Sequence, residues 1–260
     1  MEALARRKFE RFKKEKPKAG REFKIERNPF TEEVISLWQR VRDCEGFRTY
    51  HGRGIFTTSY TGIASYVSSR VRKFSSEEIH EISKLLPYFE MTEPQFYEIG
   101  GRLLSALIMS SQDTDFLLDL SKSSPLRYVT TSSGNRVVIE GDLGNKIADW
   151  MQGGELVIKG NVGHYIAGFL QGGKITVEGD AGNFLCTDMD KGEVIVKGDA
   201  GDNAGSGMRG GTLHIEGNAG EKLGEKMKGG TIIIQGDYKS LGKPACNPGR
   251  IIHRGEQIRG

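Results

Sequence analysis

One motif returns at a fixed interval through the second half of this chain of 260 residues. Each copy contains a short run rich in β-branched residues, and neither an insertion nor a deletion interrupts the period of nineteen. The runs end at anchor glycines, which are Gly141, Gly160, Gly179, Gly198, Gly217 and Gly236, and a last run ends at Gly255. Because so short a unit cannot hold a pair of helices, the pattern predicts a solenoid of seven strands stacked about 4.8 Å apart, that is, a parallel β-helix.

Two corners per repeat are predicted from glycine and from Asn or Asp. The first corner follows the anchor and carries Asp142, Asn161, Asp180, Asp199 or Asn218, which we expect to hydrogen-bond their own backbone. The second precedes the strand, at Gly153-Gly154, Gly172-Gly173, Gly210-Gly211 and Gly229-Gly230. Two residues before these pairs lies an apolar ladder that is predicted to face the interior: Met151, Leu170, Met208 and Met227.

Side chains alternate along each strand, so the first and third apolar residues are predicted to share the inner face. The inner column is then Val137/Ile139, Leu156/Ile158, Ile175/Val177, Val194/Val196, Leu213/Ile215 and Ile232/Ile234. The outward column is Val138, Val157, Thr176, Ile195, His214, Ile233 and Ile252. This column is too apolar for a solvated face, so we expect it to contact the N-terminal half, a second copy of the chain or another subunit.

The repeat resembles a known family. The unit from Gly217 to Gly236, G-x-x-G-x-x-x-G-x-x-M-x-G-G-x-I-x-I-x-G, is similar to the GXGXG repeat found in a subunit of formylmethanofuran dehydrogenase and in the C-terminal domain of glutamate synthase. The resemblance covers about residues 134–255. It implies a β-helix that acts as a structural spacer and brings no catalytic residues. Lys191-Gly192 replaces one glycine pair, and Pro244 and Pro248 in the last unit are expected to form a terminating cap.

The first half of the chain has a helical pattern, so the fold class is α+β with several domains. We predict a basic arm at 1–29, a helical domain at 30–122, a linker at 123–133 and the β-helix at 134–260. Val34, Leu37, Trp38 and Val41 share one helical face, and a second helix is expected at about 60–73. Capping boxes at Ser75-x-x-Glu78 and Thr92-x-x-Gln95 predict the starts of two more helices.

Charge is distributed unevenly over the two halves. Residues 1–73 contain eighteen Lys and Arg against nine acids, while the rest of the chain contains nineteen against twenty-five. A basic segment of this kind suits the phosphates of nucleic acid, although basic termini are also common as solvated tails. The predicted nucleic-acid-binding residues are Arg6, Arg7, Lys8, Arg11, Lys13, Lys14, Lys16, Lys18, Arg21, Arg40, Arg42, Arg48, Arg53, Arg70, Arg72 and Lys73.

Catalytic and metal-binding motifs are not recognised in the sequence. The five histidines are scattered and the three cysteines form no C-x-x-C pair, so no metal and no cofactor are predicted. The best catalytic candidate is Cys186 with Asp188 and Asp190, and an incidental buried thiol is the simpler interpretation. With no apolar stretch long enough to span a membrane and no signal-like start, we expect a cytoplasmic protein.

Two functions follow from these patterns. The first is a non-catalytic interaction protein, a homodimer joined by Val138, Val157, Ile195, His214, Ile233 and Ile252, whose arm docks on RNA or a ribosomal subunit. The alternative is a scaffold subunit of a metabolic enzyme complex, whose outward column binds a catalytic oxidoreductase subunit.

Overall fold

A computed structural model describes residues 26–43, 58–90, 96–246 and 249–259. Four helices come first in the described chain: α1 (Pro29–Asp43), α2 (Thr58–Arg70), α3 (Ser76–Glu90) and α4 (Phe96–Ser110). Nine strands follow: β1 (Asp115–Asp119), β2 (Arg136–Glu140), β3 (Glu155–Lys159), β4 (Lys174–Val177), β5 (Glu193–Val196), β6 (Thr212–Ile215), β7 (Thr231–Ile234), β8 (Arg250–His253) and β9 (Glu256–Arg259).

The strands form one sheet in chain order, and β1 to β8 are parallel, as a β-solenoid requires. From β2 to β8 each residue pairs with the residue one period later, so the sequence period is the register of the sheet. The predicted inner column is fully buried, as is the Met and Leu ladder, to which Met189 also belongs. The predicted β-helix is therefore confirmed, together with the residues that fill its core.

The solenoid begins earlier than the sequence pattern predicted. Strand β1 lies within the stretch assigned to the helical domain, and Leu126, in the predicted linker, forms a parallel bridge with Leu143 of the next coil. The pattern missed this coil for two reasons. Leu120 occupies the place of an anchor glycine, and the pair Asp115 and Arg136 is two positions wider than the period.

A different element lies against each end of the parallel stack formed by β1 to β8, which opposes the addition of further parallel strands. At the start, α3 lies against β1, where Ser83 Oγ accepts a hydrogen bond of 2.9 Å from the Asp119 amide. At the end, β9 turns back and pairs antiparallel with β8, and Arg259 donates to the Gly224 carbonyl at 2.8 Å. The predicted prolines are not the whole cap, and Pro248 lies outside the described residues.

The five anchor glycines from Gly160 to Gly236 are required by close packing between coils, whereas Gly141 and Gly255 have positive φ angles. A Cβ atom on Gly179 would lie 2.7 Å from the Gly160 carbonyl oxygen of the preceding coil. This distance is too short for any residue with a side chain. At the second corner, the second residue of the pair before each strand has a positive φ angle, as Gly173 does. Each position thus excludes other residues for its own physical reason.

The Asn and Asp side chains of the corners connect successive coils. Asn161 Oδ1 accepts from the Asp180 amide at 2.9 Å, and Asp180 Oδ1 accepts from the Asp199 amide at 2.9 Å. The expectation that these side chains bond their own backbone was wrong, since each acceptor serves the amide one period later. A second ladder runs beside the first, through Asn145, His164, Asn183 and Asp202.

Between the corners, each of the five coils from β2 to β7 contains a segment whose φ angle is positive at every second residue. In one coil these residues are Lys146, Ala148 and Trp150, with φ angles of 59°, 57° and 59°. Their amides donate in alternate directions, since Trp150 bonds to Gly168 of the next coil and Ala148 bonds to Val129 of the preceding one. This backbone does not follow the alternation rule of a β-strand.

Trp38 of α1 connects three of the helices, since its ring stacks on Phe89 of α3 at 4.5 Å between centroids and lies 5.8 Å from Phe96 of α4. The predicted face of α1 is buried, and the predicted capping box of α3 is present, with the Ser75 amide donating to Glu78 at 2.9 Å. The other predicted box, at residues 92–95, lies outside the described residues. Helix α4 contacts the first coil at Gly101, where a Cβ atom would collide with the Arg127 carbonyl. None of the described helices combines the length and the apolar character needed to cross a membrane.

Candidate interfaces

The predicted outward column lies on the outer face of the strands, where it forms the middle of a flat surface. We call it the apolar strip and add Leu117 of β1, which pairs with Val138 and is 42% exposed. The other members are half-buried: Val138, Val157, Thr176, Ile195, His214, Ile233 and Ile252. With eight parallel strands about 4.8 Å apart, the strip is about 34 Å long.

Charged residues border the strip on both sides, and their signs alternate from coil to coil. On one side Arg136 pairs with Glu155 at 3.1 Å, and Lys174 pairs with Glu193 at 3.0 Å. On the other side lie two further pairs, Glu140 with Lys159 and Glu178 with Lys197. Exposed pairs of this kind contribute little to stability, but they fix a pattern of charge along the edges of an apolar surface.

The helices lie at the end of the solenoid, where α3 contacts β1. His80 Nδ1 is 3.0 Å from the Leu117 carbonyl oxygen, which places α3 beside the backbone of β1. The strip residues of β2 to β8 keep a partly exposed surface in the described chain. Among the described residues, intramolecular cover of the strip is therefore limited to the edge of the first strand.

Some of the predicted nucleic-acid-binding residues are close together on the helices. Arg40, Arg70 and Arg72 line a cavity of about 190 Å³ with Glu33, Leu37, Val71 and Phe74. Arg42 and Lys73 are exposed nearby in sequence. The remaining predicted residues lie outside the described residues, and they are Arg6, Arg7, Lys8, Arg11, Lys13, Lys14, Lys16, Lys18, Arg21, Arg48 and Arg53.

Arg72 has a structural role that the sequence did not reveal. Its guanidinium donates to Glu33 of α1 at 2.8 Å and to Glu78 of α3 at 2.8 Å, and it lies over the Phe74 ring. The hydrogen bonds to Glu33 and Glu78 raise the pKa of Arg72, and the same guanidinium lowers the pKa of Glu78. Arg72 therefore joins two helices, and Arg40 and Arg70 are the better candidates for an anionic partner.

The irregular coil at Cys186 does not form a reactive site. The Cys186 thiol is fully buried, and burial raises its pKa, so the nucleophilic thiolate is disfavoured. Asp188 and Asp190 both face Arg209, at 3.2 Å and 3.4 Å. Within the described ranges, no three His, Cys, Asp or Glu side chains are grouped so that they could hold a metal ion.

An exposed aromatic cluster was missed by the sequence reasoning. Trp150 stacks on Phe169 at 4.4 Å and Tyr165 stacks on Phe184 at 4.8 Å, both pairs on the segments with alternating φ. In each pair the two residues are one period apart, so the repeat itself contains the signal.

The chain matches no family model, no curated protein and no solved structure.

Proposed function

We propose that this protein is a non-catalytic interaction protein, in which the solenoid is a rigid body that pairs with a second copy through the apolar strip. The basic N-terminal arm docks on an RNA-rich particle such as a ribosomal subunit. Two joined bodies carry two arms, so the dimer can hold two particles together or cover one binding face.

The apolar strip is the observation that supports this proposal. An apolar surface about 34 Å long is unusual on a monomeric protein, and such surfaces mark binding sites. A twofold axis brings the same patch of both copies together, so the strip meets itself. The alternating charges beside the strip favour this pairing. When the second copy is displaced by one coil, each acidic side chain of one copy lies opposite a basic side chain of the other.

Charge supports the RNA partner. The excess of nine positive charges in residues 1–73 is opposed by an excess of six negative charges in the rest of the chain. Contacts of Lys and Arg with phosphates release counterions, so they give an affinity that falls steeply with salt. Arg40 and Arg70, which are exposed beside one cavity, extend the basic character onto the helices.

A second candidate function is a scaffold subunit of a metabolic enzyme complex. Six successive periods of nineteen residues, from β2 to β8, make a stiff spacer, as the GXGXG-like repeat implies, and the same strip would then bind a catalytic oxidoreductase subunit. The basic arm has no evident use in that setting, which is why we place this function second.

Co-sedimentation with ribosomal subunits tests the docking proposal. We expect the full-length protein to pellet with subunits at low salt and to be released at roughly 0.5 M salt, where phosphate contacts are screened. Replacing Lys13, Lys14 and Lys16 by glutamine should weaken binding at low salt. The control Ile195→Asp changes the strip and not the arm, so each chain of that variant should still bind. Binding that is insensitive to both salt and the lysine changes would contradict the proposal.

A further inference from the structure

The solenoid carries a set of five aromatic residues, two of them exposed, on a different part of the coil from the strands. We call it the aromatic patch: Tyr128, Trp150, Tyr165, Phe169 and Phe184. Trp150 is 58% exposed and Tyr165 is 45% exposed, while Phe169 and Phe184 are half-buried beside them in their stacks. The stacked rings are nearly parallel, with interplanar angles of 7° and 0°.

The backbone of these segments does not call for aromatic side chains. All five patch residues have φ angles between 53° and 61°, a region that favours glycine and asparagine. Later coils follow that preference, because Asn203 stands one period after Phe184 and Gly207 stands two periods after Phe169. The coil therefore closes without rings at these places. Large aromatic rings occur in the earlier coils against the local preference, and they are left in contact with solvent.

Cationic side chains lie at the edge of the patch. The Arg102 guanidinium is 4.2 Å from the centroid of the Tyr128 ring, and Lys146 Nζ is 5.4 Å from the same centroid. Arg127 is exposed beside Tyr128. The acid between Lys146 and Trp150 is Asp149, whose pKa is raised to about 6 by burial. Rings with cations at their border are suited to planar groups on an anionic chain, more than to a neutral sugar.

We propose that the aromatic patch is a stacking platform for the unpaired bases of a single-stranded RNA, with Trp150 and Tyr165 as the principal contacts. Bases of any sequence stack on aromatic rings, so the platform recognises single strands rather than a sequence. Lys146 and Arg127 are placed to meet the phosphates of the same strand. This inference extends the proposed RNA binding to a second site, and it rests on that function for the choice of RNA.

Tryptophan fluorescence of the full-length chain tests the platform directly. The chain has two tryptophans, and Trp38 is buried in the helical core, so Trp38→Phe leaves Trp150 as the sole reporter. We expect an unstructured RNA of about 12 nucleotides to quench Trp150 to saturation. Inorganic polyphosphate of the same charge, which has no bases, should leave the emission unchanged. The anisotropy of the labelled RNA, measured in parallel, reports total binding.

Paired variants test the contribution of the rings to affinity. Trp150→Ala with Tyr165→Ala should weaken binding of the same RNA by about tenfold or more, since each stacked base contributes measurably. Lys226→Ala is the matched control, because it stands at the place of Trp150 four coils later with a φ angle of 52°. It should change the affinity less than about twofold. Thermal melting of each variant establishes that the solenoid is intact.

Four results would overturn the inference. If the anisotropy shows that RNA binds but Trp150 is not quenched, the docking arm is the binding site and the patch is not a stacking platform. Equal quenching by polyphosphate would mean that charge, and not base stacking, causes the quenching. Quenching by a neutral oligosaccharide, and none by RNA, assigns the platform to glycans. If no RNA binds by either measurement, the docking proposal and the platform both fail.

Discussion

At the residue scale, Asp149 is predicted to make stability depend on pH. Burial raises its pKa from 3.8 to about 6, so the folded protein holds this proton more tightly than the unfolded chain. Stability from this group is present below pH 4 and is lost as the pH rises through 6, by roughly 3 kcal/mol. Asp149→Asn keeps an acceptor for the Gly168 amide and removes the buried charge.

We therefore expect Asp149→Asn to be more stable than the wild type at pH 7 and similar to it at pH 4. Urea unfolding at both pH values measures the difference between the two proteins. Taking the difference cancels the opposite trend of Glu78 and Asp119, whose pKa values are lowered. A difference that does not change with pH would show that Asp149 is not the group responsible.

The corner ladders give a second prediction at this scale. Asp180→Ala removes the acceptor of the Asp199 amide and should cost about 1 kcal/mol or more, because a partly buried donor is left without its partner. Asp180→Asn keeps the acceptor, as Asn161 and Asn218 do at the same place in other coils, so it should cost less than about 0.5 kcal/mol. Equal free energies of unfolding for the two variants would contradict the role assigned to the ladder.

At the element scale, neighbouring residues of β5 separate the core from the strip. Val196 is fully buried, so Val196→Asp places a charge in the core and should cost more than about 4 kcal/mol, enough to unfold many domains. Ile195 is half-buried on the outer face, so Ile195→Asp should cost about 1 kcal/mol in the isolated monomer. Circular dichroism during heating distinguishes the two, and similar unfolding of both would make the strip part of the core.

The sequence period predicted most of the sheet. Strands β2 to β8 and their inner columns could be identified because one rule, alternation with period two, holds in every coil. The rule did not predict the aromatic patch, because the segment around Trp150 has a positive φ angle at every second residue and does not follow strand geometry. It also missed β1, where Leu120 replaces the anchor glycine and α3 supplies the cover that a preceding coil would give.

The candidate sites were predictable in part. The strip was predicted from the strand pattern. Leu117 was not included in that prediction only because β1 was not recognised as a strand. Charge alone could not distinguish Arg72, which is bound by Glu33 and Glu78, from the exposed Arg40 and Arg70. Those two carboxylates lie on different helices and far apart in sequence, so local patterns contain no trace of the junction.

At the scale of the whole molecule, the solenoid is a stiff body with two covered ends and two different surfaces. The apolar strip lies on the strands, and the aromatic patch lies on the segments between corners. Because α3 lies against β1 and β9 pairs antiparallel with β8, stacking of further parallel coils onto either end is opposed, and we expect the proposed association through the strip to stop at a closed dimer.

The molar mass in solution tests the central claim, that the strip joins two copies. Sedimentation equilibrium of the full-length protein should give a dimer, which is twice the chain mass of 28.7 kDa. Ile195→Asp should give a folded monomer that melts a few degrees lower, because the change costs about 1 kcal/mol and removes the interface but leaves the core intact. A monomeric wild type at tens of micromolar, or a dimer that Ile195→Asp leaves intact, would contradict the account.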